Sequence, residues 1–242
     1  MIPIRDLNPT RTFPFFTILI IVVNVAVFFY ELGQQAISQA AIDRFYAVYG
    51  FIPCLITNTC PPALVRELQA VHDPINPIVS LFTSMFVHGG WLHIAGNMLF
   101  FWIFGNNVED EMGHLRFLAF YFVCGLIAAF AQIGFDPTST VPSLGASGAI
   151  AGVLGAYFVM YPTAPVDTAV FVIFIFFVRL PAFVVLGVWI VLQFFTGVTA
   201  LGTHDTGGVA TFAHIGGFVA GMLLVFFFRR RRSPPVPLLS LD

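Results

Sequence analysis

The sequence predicts an all-α, polytopic membrane protein, a bundle of six transmembrane helices with a long first outer loop. Three observations predict it. Of 242 residues, 58% are hydrophobic and 9% charged, whereas soluble domains carry about a quarter charged residues. The apolar residues gather into runs suited to crossing about 30 Å of hydrocarbon. The basic residues, all of them Arg, concentrate beside those runs.

The runs are Phe13–Tyr30, Ile94–Val108, Leu115–Phe135, Leu144–Tyr161, Ala169–Val178, Leu180–Val198 and Val209–Phe228. The first is long enough to span and is not followed closely by a small-x-small cleavage pattern, so it reads as a retained helix rather than a signal peptide. Ala169–Val178 would be about 15 Å long as a helix, half the hydrocarbon thickness. Arg179 and Pro181 then interrupt it. It reads as an interfacial lead-in, which leaves six crossings. An even number puts both termini on one side. Arg5, Arg11, Arg116, Arg179 and the run Arg229 to Arg232 then share the cytoplasmic face, with Arg44 and Arg66 alone outside. A seventh crossing would put the terminal Arg run outside. The same run excludes little else: beside a helix end it serves topology better than nucleic-acid binding, and no nucleic-acid partner is expected.

The expected organisation is a cytoplasmic N-terminal segment (1–12), a membrane domain (13–228) and a cytoplasmic basic, Pro-rich tail (229–242). The first loop, about Glu31 to Trp91, is long for a compact domain. Within it Ile75 to Val87 is too short to span and is expected to lie at the outer interface. Hydropathy shows no internal repeat of the kind transporters carry.

Polar groups inside membrane helices are costly and so point to function. Here the main ones are His93, Asn97, Ser147, Gln193 and His214. Ser147 precedes the inner end of its run, Tyr161, by about 21 Å, and His214 precedes Arg229 by about 22 Å. The two therefore share one depth. A Ser and a His at one depth suggest a nucleophile and its base, although either alone also reads as interhelical hydrogen-bonding glue. His93 and Asn97 lie one turn apart on a helix entering from the same side.

Glycines flank both candidates. Ser147 sits in Gly145-Ala146-Ser147-Gly148, with Gly152 following; His214 is followed by Gly217 and Gly221. Small residues four apart let helix backbones approach closely, so Gly145, Gly148, Gly152, Gly217 and Gly221 are read as packing positions. The pattern around Ser147 lacks the second Gly of the soluble hydrolase elbow. Pro142 and Gly145 instead predict a helix that starts at the Ser, placing its free N–H groups beside an attacked carbonyl.

At these residues the chain resembles the rhomboid family of intramembrane serine proteases. The matching stretches are His88-Gly-Gly-Trp-Leu-His93-Ile-Ala-Gly-Asn97, Gly-Ala-Ser147-Gly148 and Ala213-His214-Ile-Gly-Gly217-Phe-Val-Ala-Gly221. The resemblance spans about Ser80 to Phe228. It implies a catalytic Ser147–His214 dyad without an acidic third member. Oxyanion stabilisation would come from His93, Asn97 and the Ser147 backbone N–H, and His88 would have a structural role in the first loop. It implies no cofactor and no metal, and as partners the lipid bilayer and single-pass or other transmembrane protein substrates; oligomeric state is left open. Three positions depart from common family features. Val79 and Ser80 stand where many members carry Trp-Arg, and Ala151 stands where some carry a Tyr stacked on the catalytic His, so His214 must be oriented by something else.

The substrate helix must unwind to expose its carbonyls, which favours segments with Gly, Pro or polar residues and a small residue at the cut. The bulky fifth helix, with Phe183, Val185, Trp189, Phe194 and Phe195, reads as a lateral gate or as lipid-facing bulk, and the loop Thr199 to Gly208 as a movable cap. Asp205 in that loop reads as solvated. Cys124 reads as packing. Cys54 and Cys60 leave two readings open, a disulfide or two thiols, and His72 nearby is insufficient for a metal site. Glu109, Asp110 and Glu111 read as a solvated anchor, although Glu109 matches an acid often found there in the family. A multi-pass protein of the plasma membrane, bacterial and inner, is expected. The competing functions are an inactive rhomboid-like protein for membrane-protein binding or quality control, and a transporter or channel in which His93, Asn97 and His214 form a polar pathway.

Overall fold

The computed structural model describes residues 1–71, 76–171, 174–203 and 210–230. His72, Asp205 and most of the basic tail lie outside them. Among the described residues, six helices of 14 or more residues form the body: α1 (Phe15–Ile37), α6 (Trp91–Met112), α7 (His114–Phe135), α8 (Ser147–Met160), α9 (Ala182–Thr203) and α10 (Thr211–Phe228). Each lies on one of the six apolar runs retained above. By length and apolarity α1, α7 and α10 are each able to cross a membrane. α6 joins them when taken with the short helix before it, from which it bends by 79°.

The long first loop is built of short helices, α2 (Gln39–Tyr49), α3 (Pro53–Thr57), α4 (Pro62–Val71) and α5 (Pro77–Thr83), ending in a 3₁₀ turn at Ser84–Phe86. Cys54 and Cys60 are joined in a disulfide that closes the turn after α3. The loop is tied inward by Glu31 on α1, a buried carboxylate whose oxygens accept from the His88 backbone N–H at 3.0 and 3.2 Å.

α8 is short, about 21 Å, because it sits in the middle. Every residue from Gly148 to Tyr157 is buried, as expected of a helix that is apolar on all sides. Its seam with α10 is made by backbone. A Cβ on Gly217 would strike the carbonyl oxygen of Gly148, one on Gly221 that of Gly152, and one on Gly155 that of Phe218. On its other side Gly152 abuts Cys124 of α7, a free and buried thiol.

Two charged or extended segments differ from their sequence reading. The described residues of Ala169–Val178, taken above as an interfacial lead-in and measured as a helix, are strand instead: they belong to the antiparallel pair β2 (Pro165–Phe171) and β3 (Ile175–Pro181), on which β1 (Ile2–Asp6) pairs as a third strand in the order β1-β2-β3. Their Val, Ile and Phe content is what strands favour. Register places Asp167 opposite both Arg5 and Arg179. It accepts from each Nε at 2.9 Å, and these bonds, Arg179 first, hold its carboxyl below the usual range.

The second difference is Glu109, which is fully buried rather than a solvated anchor. α1 starts after Pro14 without a side-chain cap of its own. Glu109 supplies one from α6, accepting from the Phe16 N–H (2.9 Å), the Thr17 N–H (2.8 Å) and the Thr17 hydroxyl (2.7 Å), with His114 Nδ1 at 2.6 Å. Asp110 likewise accepts from the Thr12 N–H and hydroxyl. A carboxylate at a helix N-terminus meets orphan donors and the positive end of the dipole. At the same end of α6, Gly113 with φ +79° turns the chain directly into α7, and Arg230 donates to the Met112 carbonyl at 3.2 Å.

Candidate active site

α8 begins at Ser147. The turn before it is made by Gly145, whose φ of +118° suits glycine. Gly145, grouped above with the helix-packing glycines, therefore stands apart from the α8–α10 seam. Its backbone N–H donates to the Ser84 carbonyl at 2.9 Å, and a Cβ there would run into the His93 imidazole. Glycine is needed both for the turn and for the approach of His93 to the start of α8. As the first helical residue, Ser147 has a backbone N–H without an intrahelical acceptor.

The Ser147 hydroxyl lies 2.6 Å from His214 Nε2. The glycine seam explains why. Ser147 precedes Gly148, His214 lies one turn before Gly217, and Gly148 and Gly217 touch through backbone. No bulk separates the two helices at that level, so a short side chain on each suffices to close the gap. His214 is buried. Its other ring nitrogen, Nδ1, lies 2.9 Å from Gln193 Oε1 on α9. Trp189, one turn earlier on α9, stands 5.8 Å from the imidazole between ring centroids.

His93 and Asn97 lie on one face of α6, the former beside Gly145. Asn97 is buried, and its Nδ2 has no hydrogen-bond partner among the described residues. A buried donor without an acceptor is costly, and an oxygen that develops negative charge nearby would satisfy it. His88 packs edge-on against His93 at 5.1 Å. It sits where Glu31 fixes the first loop. A small cavity beside Ser147 is lined by Ala128, Ala129, Gly148, Ala210 and Ala213 among others. Among the described residues no group of three or more His, Cys, Asp and Glu is arranged to hold a metal.

The sequence places Gln193 among the polar intramembrane residues without naming a partner, and Trp189 among the bulky residues of a lateral gate or a lipid-facing surface. Gln193 and Trp189 stand four apart, which puts them on one helix face. That spacing was a visible signal that both address one neighbour. Glu31, which holds the loop carrying His88, was not singled out. A lone acid near the end of an apolar run was the available signal.

A model of the Rhomboid domain matches residues 76–231. "Rhomboid protein 1, mitochondrial" of Saccharomyces cerevisiae is 27% identical over 169 residues, 68% of this chain and 46% of the relative. "RHOMBOID-like protein 1" of Arabidopsis thaliana is 27% identical over 224 residues, 88% of this chain and 53% of the relative. "Rhomboid protease GluP" of Bacillus subtilis is 43% identical over 76 residues, 31% of this chain and 14% of the relative. The chain thus spans about half or less of the length of these relatives.

Proposed function

The chain belongs to the rhomboid family, and from that premise we propose that it is an intramembrane serine endopeptidase cutting transmembrane segments of other membrane proteins. The observation that carries the reading is the 2.6 Å contact of Ser147 Oγ with His214 Nε2, inside a bundle whose helices suit a bilayer.

In the first step the Ser147 Oγ–H proton passes to His214 Nε2 as Oγ bonds to the scissile carbonyl carbon. The electron pair of the carbonyl moves onto oxygen. The Ser147 N–H, Asn97 Nδ2 and His93 serve as its donors. Such groups are pre-oriented by helix geometry, so they cost no reorganisation during reaction. The imidazolium returns its proton to the amide nitrogen as the C–N bond breaks. Water, deprotonated by the same imidazole, then releases the acyl group from Ser147.

The cavity beside Ser147 is narrow and is walled in part by Phe51, Leu81, Met85 and Leu144, which favours a small side chain at the cut. A helical substrate hides its carbonyls, so segments with Gly, Pro or polar residues near the site are the better substrates. The arginines of the three-stranded sheet and of the α7 and α10 ends (Arg5, Arg116, Arg179, Arg229, Arg230) support a cytoplasmic placement of that end and of both termini. The Ser147 end then opens towards the exterior of a plasma membrane.

The test is labelling of the full chain in liposomes by a fluorophosphonate probe. Labelling that is lost in Ser147→Ala and His214→Ala supports the protease. A folded wild-type chain that never labels, yet retains transmembrane clients, would show a binding protein without peptidase activity.

A further inference from the structure

Resting on the dyad reading, we propose that Gln193 is the positioning residue of this site, a neutral amide that fixes the proton of His214 on Nδ1 and so leaves Nε2 able to accept from Ser147.

A neutral imidazole carries one proton, on either nitrogen. For His214 to act as a base towards Ser147, Nε2 must be the bare one, and the proton must sit on Nδ1. Nδ1–H then needs an acceptor, because His214 is buried among helices where an unmet donor is costly. The acceptor is Gln193 Oε1 at 2.9 Å. The arrangement is linear in its logic: Gln193 Oε1 accepts from Nδ1–H, and Nε2 accepts from the Ser147 hydroxyl at 2.6 Å. The amide is suited to this by being uncharged. A buried carboxylate in the same place carries a desolvation cost that an amide avoids.

The other orientation of the amide would have the opposite effect. With its NH₂ towards the ring, Nδ1 would become the acceptor and Nε2 would carry the proton. His214 would then donate to Ser147 and could not activate it. The structure places Oε1 on the ring.

Trp189 supports the same ring from the same helix. It stands 5.8 Å from the imidazole, and also 6.2 Å from Phe218 of α10 and 6.3 Å from Phe100 of α6. The aromatic wall limits ring rotation and Gln193 selects the tautomer. Together they supply, from α9, the orientation that Ala151 on α8 is too small to give.

The experiment has two readouts on the full-length chain. ¹⁵N-histidine NMR, with His214 identified by the signal missing in His214→Asn, reads which nitrogen carries the proton. Second-order labelling of Ser147 by a fluorophosphonate reads its reactivity. The wild type is expected to show Nδ1–H. Gln193→Leu should lose that preference and label about tenfold or more slowly, with its thermal midpoint lowered by no more than one unmet buried ring nitrogen costs. Gln193→Glu, which keeps an acceptor oxygen, should retain the Nδ1–H form and label faster than Gln193→Leu, with a thermal midpoint below that of the wild type from the carboxylate's desolvation.

A wild-type ring protonated on Nε2 overturns the proposal without any variant having to fold. So does a Gln193→Leu chain that labels at the wild-type rate with its tautomer unchanged. A wild-type ring held as Nδ1–H, released by Gln193→Leu, in a chain whose Ser147 never labels, upholds Gln193's hold on the ring and sinks the dyad reading alone.

Discussion

Gly217 on α10 and Gly148 on α8 meet backbone to backbone, and the space a Cβ on Gly217 would need is filled by the Gly148 carbonyl oxygen. This contact sets the distance between the helices that carry Ser147 and His214. Gly217→Val is therefore expected to prevent assembly of the bundle. Gly217→Ala should cost about 1–3 kcal/mol, the usual range for overpacking, and should slow labelling of Ser147 beyond what the lost stability explains. Thermal unfolding and probe labelling of the same detergent preparations check both.

Asn97 offers a buried Nδ2 that no described residue accepts. If it serves the oxyanion, Asn97→Ala should lower kcat about 10²–10³-fold, the range for one lost donor. The thermal midpoint should hold or rise, since an unmet donor is removed. A large loss of stability with unchanged kcat would assign Asn97 to the fold instead.

Glu109 caps a helix that is remote in sequence. Glu109→Ala strands the N–H groups of Phe16 and Thr17, and a loss of at least about 1–3 kcal/mol is expected from unmet buried donors. His114→Ala, which removes only the half-exposed partner of the same carboxylate, should cost less. Chemical denaturation of the two variants side by side gives the order.

Asp6 in β1 accepts from the Tyr157 hydroxyl at 2.8 Å. Burial lifts its carboxyl to about 6 against the lowering effect of that hydrogen bond. A carboxyl raised on folding favours the folded state while protonated. Its contribution is full below about pH 4 and is lost as pH rises through about 6. Asp6→Asn should flatten this part of the stability profile between pH 4 and pH 7, with a thermal midpoint higher than that of the wild type at pH 7. Thermal scans across that range decide it.

The six long helices were legible because each needs an apolar run, and a run shows in one dimension. The start of α8 was legible because Pro142 and Gly145 interrupt the chain just before Ser147. The β2–β3 pair was not: a short run rich in Val, Ile and Phe satisfies strand and helix alike, and what decides for strand is β1, more than 150 positions away. Glu109 was misread for a similar reason. Three acids in a row resemble a solvated helix end, and the donors that bury one of them belong to α1. The contact of Gln193 with His214 depends on how α9 is rotated against α10, which hydropathy does not specify. The helical extent of α9, through Thr203, also exceeds its run and takes in residues read as loop.

α9 is held by backbone hydrogen bonds where it starts and by side chains, Trp189 and Gln193 among them, further along. The Ala182 and Phe183 N–H groups donate to the carbonyls of Ala164 and Pro162, and β3 feeds straight into the helix, so any swing of α9 pivots there. Gln193 lies about 16 Å along the axis from that pivot, and a tilt of about 10° would carry it about 3 Å, a full hydrogen-bond length. A transmembrane client that levers α9 outward on entry would thus disarm the base, and hydrolysis would wait until the helix swings back.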